Sequence, residues 1–228
     1  MSDSTNNRQP DRLTVGDVFG VVVNPQTYRN ILYLTLAFPL GTLYFVGLTF
    51  GLALGLGLAV VFVGIPILIA VVLGSRPVST FERILANELL AVEISPPNDA
   101  PPVEGEQFWQ TLKRYLGAGS TWKGLVFLYL KFWIGLFSFV ILVVGATVTG
   151  AFITAPLHYN DPAVSIGVGA WVIDSLPEAL FGVVFGAAFG ITSLHFFNAI
   201  AWISGLLAKT LLGGREDVNE VSREGMRT

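Results

Sequence analysis

The sequence has no cysteine, only two histidines and two methionines in 228 residues, and little charge of either sign. Without thiols there can be no disulfide, thiolate metal site or cysteine nucleophile, and the redox compartment stays open. Charged residues make up 13% of the chain, where soluble domains carry about 25%. The net charge of −3 is too small to draw the chain to nucleic acid. No Walker loop, HExxH or nucleophile–base pair is present, so no catalytic residue, cofactor or metal is read from the sequence and no enzyme is expected.

Charge is missing most conspicuously from Ile31 to Gly74, 44 successive positions. A single helix of that length would measure about 66 Å, roughly twice the ~30 Å hydrocarbon core of a bilayer. The run therefore predicts two crossings folded at a turn near Gly51, Gly55 and Gly57, at about 30–50 and 58–74, with Pro66 as a tolerated kink. Further crossings are expected at about 125–153 and 176–198, the last one overlong and emerging toward Leu212 as an interfacial helix. The fold class is all-α: a polytopic membrane protein with four transmembrane helices, accompanied by cytoplasmic or interfacial amphipathic helices at 77–95, 107–117 and 193–212. Residues 1–27 form an N-terminal segment, 28–213 the membrane domain and 214–228 a charged tail. The N-terminus lacks the pattern of a cleavable signal peptide.

All 13 basic residues lie before the first crossing, between Arg76 and Lys131, or from Lys209 onward. The turn near Gly51 and the loop from Thr154 to Ser175 hold none. The positive-inside rule then places both termini in the cytoplasm of a multi-pass cell-membrane protein.

A shift of 94 residues lays Tyr28–Gly57 over Trp122–Ala151 with identities that include Phe38/Phe132, Gly41/Gly135, Phe45/Phe139 and Gly51/Gly145. A longer offset pairs Gly74 with Gly190 and Phe81 with Phe197. The halves read as two parallel hairpin repeats related by an axis along the membrane normal. Chance matching of Leu/Phe/Gly-rich helices is the competing explanation.

Gly47, Gly51 and Gly55 recur every four residues, as do Gly182, Gly186 and Gly190. In a helix this spacing makes a flat stripe for close packing, within one bundle or across a homodimer. Lys131 is expected to snorkel to headgroups from the inner end of its helix, and Glu178 to cap the fourth helix. His195 and Asn198 share nearly one face as an interfacial polar pair. The outer loop gathers His158, Tyr159, Asp161, Trp171 and Asp174, more an ordered cap than a cation site.

The run YRNILYLTLAFPLGTLYFVGLTFGLALGLGLAVVFVGIPIL, followed by FERILANELLAVEI, resembles the sensor domain of prokaryotic membrane proteins. That domain also stands N-terminal to actinobacterial and haloarchaeal histidine kinases. The resemblance covers roughly residues 20 to 213 and rests most on Pro39–Leu40–Gly41, the glycine-rich hairpin and Gly64–Ile65–Pro66. It implies a four-helix module that detects something at or in the membrane and passes it inward. No kinase domain follows before Thr228, so the resemblance implies a freestanding copy acting through a separate protein. The expected function is a non-enzymatic sensor or regulatory module responding to envelope or lipid state, with membrane lipid and a cytoplasmic or membrane protein as partners. An accessory subunit of a larger complex such as a transporter is the alternative. A small transporter or channel is the third, opposed by the near absence of buried charge.

Overall fold

A computed structural model describes residues 20–100, 107–161, 163–169 and 171–214. The expectations for residues 1–19, for the rest of the proline-rich loop and for the tail from Arg215 lie outside these residues. Among the described residues the main helices are α1 (Pro25–Gly57), α2 (Gly64–Leu90), α3 (Phe108–Gly117), α4 (Gly119–His158) and α5 (Leu176–Leu212). All but α3 are long and apolar enough to cross a membrane. The chain is an all-α polytopic membrane protein.

Local chemistry sets the helix ends. Asn24 caps α1 by accepting the Gln26 N–H at 2.9 Å, and Pro25 follows where its missing donor costs nothing. The hairpin turn lies at 58–63, just beyond the glycines at 51, 55 and 57 where it is expected, so α1 outlasts its predicted end. Phe62 sits there at φ 62°, a left-handed conformation uncommon for a bulky residue. The hairpin closes because Gly64 rests against the Gly55 carbonyl, where a Cβ would collide with backbone.

Three sequence expectations change here. Pro66 falls in the first turn of α2, where its absent N–H breaks no helical bond, so it makes no mid-helix kink. The segment at 77–95 is not a separate interfacial helix, because α2 continues through Pro77 to Leu90. Likewise α4 runs through Pro156 to His158, and α5 runs unbroken to Leu212. A neighbouring helix can re-satisfy the carbonyl a proline leaves free, so proline need not end a membrane helix. The helix at 107–117 is present as α3, separated from α4 by Ala118.

Repeat symmetry appears in the contacts between α1 and α4. A Cβ at Gly41 would lie 2.7 Å from the Lys131 carbonyl oxygen, and one at Gly135 would strike the Ala37 carbonyl. Phe38 stacks on Phe139 at 4.6 Å, and Phe45 on Phe132 at 4.4 Å. A 94-residue shift turns each contact of a pair into the other. The contacts nevertheless descend along α4 as they ascend α1, the order of helices passing in opposite senses. Counting crossings fixes which side a helix starts from but not its tilt. At about 50 and 60 Å, α1 and α4 exceed the ~30 Å core enough to incline steeply.

The main core joins Tyr33 and Leu34 of α1, Ala86 of α2, Phe127 and Leu128 of α4, and Phe197 and Ala201 of α5. A smaller cluster at the other end packs Phe152 and Ala155 against Ala179, with Ile166 and Ile173 from the intervening loop. That loop carries a two-stranded antiparallel ribbon, β1 (Gly167–Val168) with β2 (Trp171–Val172).

Candidate functional site

Glu82 and Lys131 meet inside the helix bundle. Glu82 follows Val78 by four residues and precedes Leu85 by three, so α2 places it within its own apolar stripe. Lys131 stands four residues after Phe127 and four before Gly135, on the face of α4 that packs against α1. The Lys131 ammonium donates to Glu82 Oε2 at 2.6 Å, and the two side chains are 1% and 0% exposed.

Tyrosines of α1 enclose this pair. The Tyr44 hydroxyl donates to Glu82 Oε1 at 2.9 Å, so both carboxylate oxygens are bonded. Lys131 Nζ lies 3.9 Å from the centroid of the Tyr33 ring and 5.9 Å from that of Phe127. The Tyr33 hydroxyl is buried beside the ammonium without making a hydrogen bond of acceptable geometry. Three helices thus converge on one buried ion pair. Taking each ion out of water costs several kcal/mol, and their mutual attraction roughly offsets that cost. Such a pair adds little net stability, but it is highly specific, because either partner left unpaired is expensive.

A second polar junction ties α1 to α5. Asn30 Nδ2 donates to Asn198 Oδ1 at 2.9 Å, and Asn198 Nδ2 donates to Thr27 Oγ1 at 3.0 Å. Gln26 Nε2 donates to Asn30 Oδ1 and to the Leu89 carbonyl, both at 2.8 Å, which brings in the end of α2. Asn198 follows Glu82 by the same interval that separates Phe197 from Phe81, so the two polar residues occupy corresponding places in the halves.

A third cluster lies where α2, α3 and α4 meet. Arg76 Nη2 donates to Ser120 Oγ at 2.8 Å, and that hydroxyl donates to Asp99 Oδ1 at 2.6 Å. Asp99 Oδ2 accepts the Ser120 N–H at 2.8 Å at the start of α4. The Arg76 guanidinium also covers the Tyr115 ring at 4.2 Å. Partial burial pushes the Asp99 carboxyl up, but the two Ser120 bonds and the Arg76 charge outweigh it and hold the group below its ordinary value.

The structure relocates several residues singled out in the sequence. Lys131 does not snorkel; it turns inward to Glu82, a residue expected from sequence on a membrane-surface helix. Asn198 turns into the bundle, and His195 is exposed. Glu178 accepts the Asp174 N–H at 3.2 Å, at the chain entry to α5. In the outer loop His158 Nδ1 contacts the Thr154 carbonyl at 3.1 Å, while Asp161 Oδ1 accepts the Ala163 N–H. Tyr159 and Trp171 pack on the Phe152 cluster. Among the described residues no group of three or more metal-ligating side chains occurs.

Of the glycines, Gly51 and Gly55 face Val71 and Leu68 of α2, and Gly186 and Gly190 face Phe152 and Thr149 of α4. Gly182 meets Ile173 and Phe152. Gly47 has nothing within 4 Å, so it packs against no other helix of this chain.

Four helices long and apolar enough to span a membrane, three of them converging on a buried ion pair, define an integral membrane protein. A family model described as "Putative sensor" matches residues 6–212, and the chain belongs to that family. No curated protein and no solved structure matches.

Proposed function

We propose that the chain is a non-enzymatic membrane sensor or regulatory module that relays the state of the envelope or bilayer to a separate cytoplasmic partner. The Glu82–Lys131 pair carries this reading. Charge inside a membrane domain is costly and marks function, and packed helices switch between discrete arrangements, one of which a buried pair can fix. Here it fastens α2, which leads to the loop after Leu90, to α4, which leads to the outer loop. A bilayer that changes thickness or lateral pressure alters the tilt such long helices adopt, and a tilt change must carry α2 and α4 together or break the pair.

In this reading both termini and the 91–118 segment face the cytoplasm, as the basic residues suggest, and the outer loop faces outward. The test is purification of the full chain from native membranes in mild detergent. A cytoplasmic protein that co-purifies with the wild type, and in altered amount with Glu82→Gln, is the expected result. Recovery of only the chain and lipid from both would contradict the relay.

Interior charge also favours a second reading, a small transporter, since ion and proton paths use such residues. The pair is closed to water in this conformation. Flux into proteoliposomes above that of empty vesicles, abolished by Lys131→Met, would establish transport over the relay.

A further inference from the structure

Where the loop after α4 enters α5, a hollow of about 350 Å³ is lined by Trp171, Pro177, Glu178 and Phe181. Trp171 is held from behind, because it stacks on Phe152 at 5.8 Å and pairs with Val168 across the β1–β2 ribbon. Phe181 meets it at a steep angle, with centroids 6.2 Å apart and planes at 74°. Two rings set this way bound a corner with aromatic face on both sides. Phe181 is 67% exposed, so its side of the corner is open. Glu178 precedes it by three residues, which puts the carboxylate on the same face of α5.

This lining selects the charge of an occupant. Ring faces are electron-rich and the carboxylate is anionic, so both attract a weakly hydrated cation, a substituted ammonium above all. Glu178 accepts the neutral Asp174 N–H at 3.2 Å, which orients the carboxylate without cancelling its charge. No lysine or arginine occurs between Lys131 and Lys209, so Asp161, Asp174 and Glu178 share this end of the bundle with neither. The start of α5 carries about half a positive charge, which the carboxylates outweigh.

Position along α5 indicates where the cation comes from. Leu180 and Val184, on the face that Phe181 continues, are 56% and 64% exposed and offer apolar surface to acyl chains. Asp174 and Glu178 mark the polar end of that surface, and a tryptophan between the two zones sits at headgroup depth.

We propose that this hollow binds the ammonium headgroup of a zwitterionic phospholipid, with the cation between Trp171 and Phe181 and Glu178 as its counter-charge. The site rests on the membrane fold and not on the relay, and its test involves no cytoplasmic partner.

Full-length protein in an uncharged detergent is titrated with short-chain phosphatidylcholine or with phosphatidylglycerol of the same chains, and bound lipid is counted by native mass spectrometry. Saturable binding of phosphatidylcholine, at least about threefold tighter than phosphatidylglycerol, is expected. Phe181→Leu keeps an apolar side chain but removes the ring face, and should weaken phosphatidylcholine about threefold. Glu178→Gln keeps an acceptor for the Asp174 N–H and removes the charge, and should bring the two lipids to parity. Phe181→Trp should tighten phosphatidylcholine about twofold, a direction that damage to the fold would not produce. Free choline, added as a competitor, should displace the lipid only in large excess. Displacement by choline at equal concentration would overturn the lipid as the source. Equal binding of both lipids by the wild type, or a preference that no variant changes, would overturn the ammonium site itself.

Discussion

Glu82 and Lys131, 49 positions apart in the chain, form a 2.6 Å ion pair that is closed to solvent. Their helices share no loop, so the contact is a statement about tertiary structure. It makes α2 and α4 interdependent where apolar packing would let them slide.

Removing either charge should be far worse than removing both. Lys131→Met or Glu82→Leu leaves a bare ion in the bundle and should destabilise by about 3 kcal/mol, whereas the double variant should recover most of the loss. Unfolding in mixed micelles, read by circular dichroism, gives the four corners of the cycle. Additive losses would show that the two residues act independently.

The crossing of α1 and α4 should tolerate no side chain at its centre. Gly41→Leu or Gly135→Leu places atoms against backbone, which cannot move aside as a rotamer can, so the helices must separate. Gly47→Ala meets open space and should be neutral. Protease resistance of the detergent-purified chain distinguishes them: the first two should be cut faster than wild type and the third at the same rate.

Asp99 should give the start of α4 a dependence on acid. Its carboxyl is held below the ordinary value, so its stabilising contribution is present above the unfolded-state pKa and is lost as pH falls through the folded one. Hydrogen exchange of the Ser120 amide should therefore rise at low pH relative to a distant α4 amide. Asp99→Asn should abolish the pH dependence of that ratio.

The Asn198 junction should hold the start of α1. Asn198→Leu removes the partners of Asn30 and Thr27 and should cost about 1 kcal/mol, the usual range for hydrogen bonds between membrane helices. Faster hydrogen exchange at residues 25–30, with α4 unchanged around Phe152, is the expected pattern.

The membrane spans were legible because hydropathy over long windows depends on composition alone. The repeat was legible because Gly41 and Gly135 recur among matched phenylalanines. The interior pair was not read, although a signal existed. Glu82 lies in register with Val78, Leu85 and Leu89, so treating it as a residue between apolar positions hid that it shares their face. Lys131 was assigned to the interface from its distance to the helix start, yet α4 begins at Gly119, three turns earlier. α2 and α4 outlast their expected ends at 74 and 153, running through Pro77 and Pro156, since inside a bundle proline is a weaker stop than in water. The opposed passage of α1 and α4 depends on tilt, which no count of crossings contains.

Relay through the ion pair is tested most directly by distance measurement between α2 and α4. The native chain has no cysteine, so spin labels on cysteines introduced at the exposed positions Ile84 and Val126 report on these helices alone. In nanodiscs of thin and thick lipids, the wild type should show two distance populations whose weights change with bilayer thickness, and Glu82→Gln should merge them into one broad distribution. A single distance, the same in both lipids and in the variant, would contradict the relay.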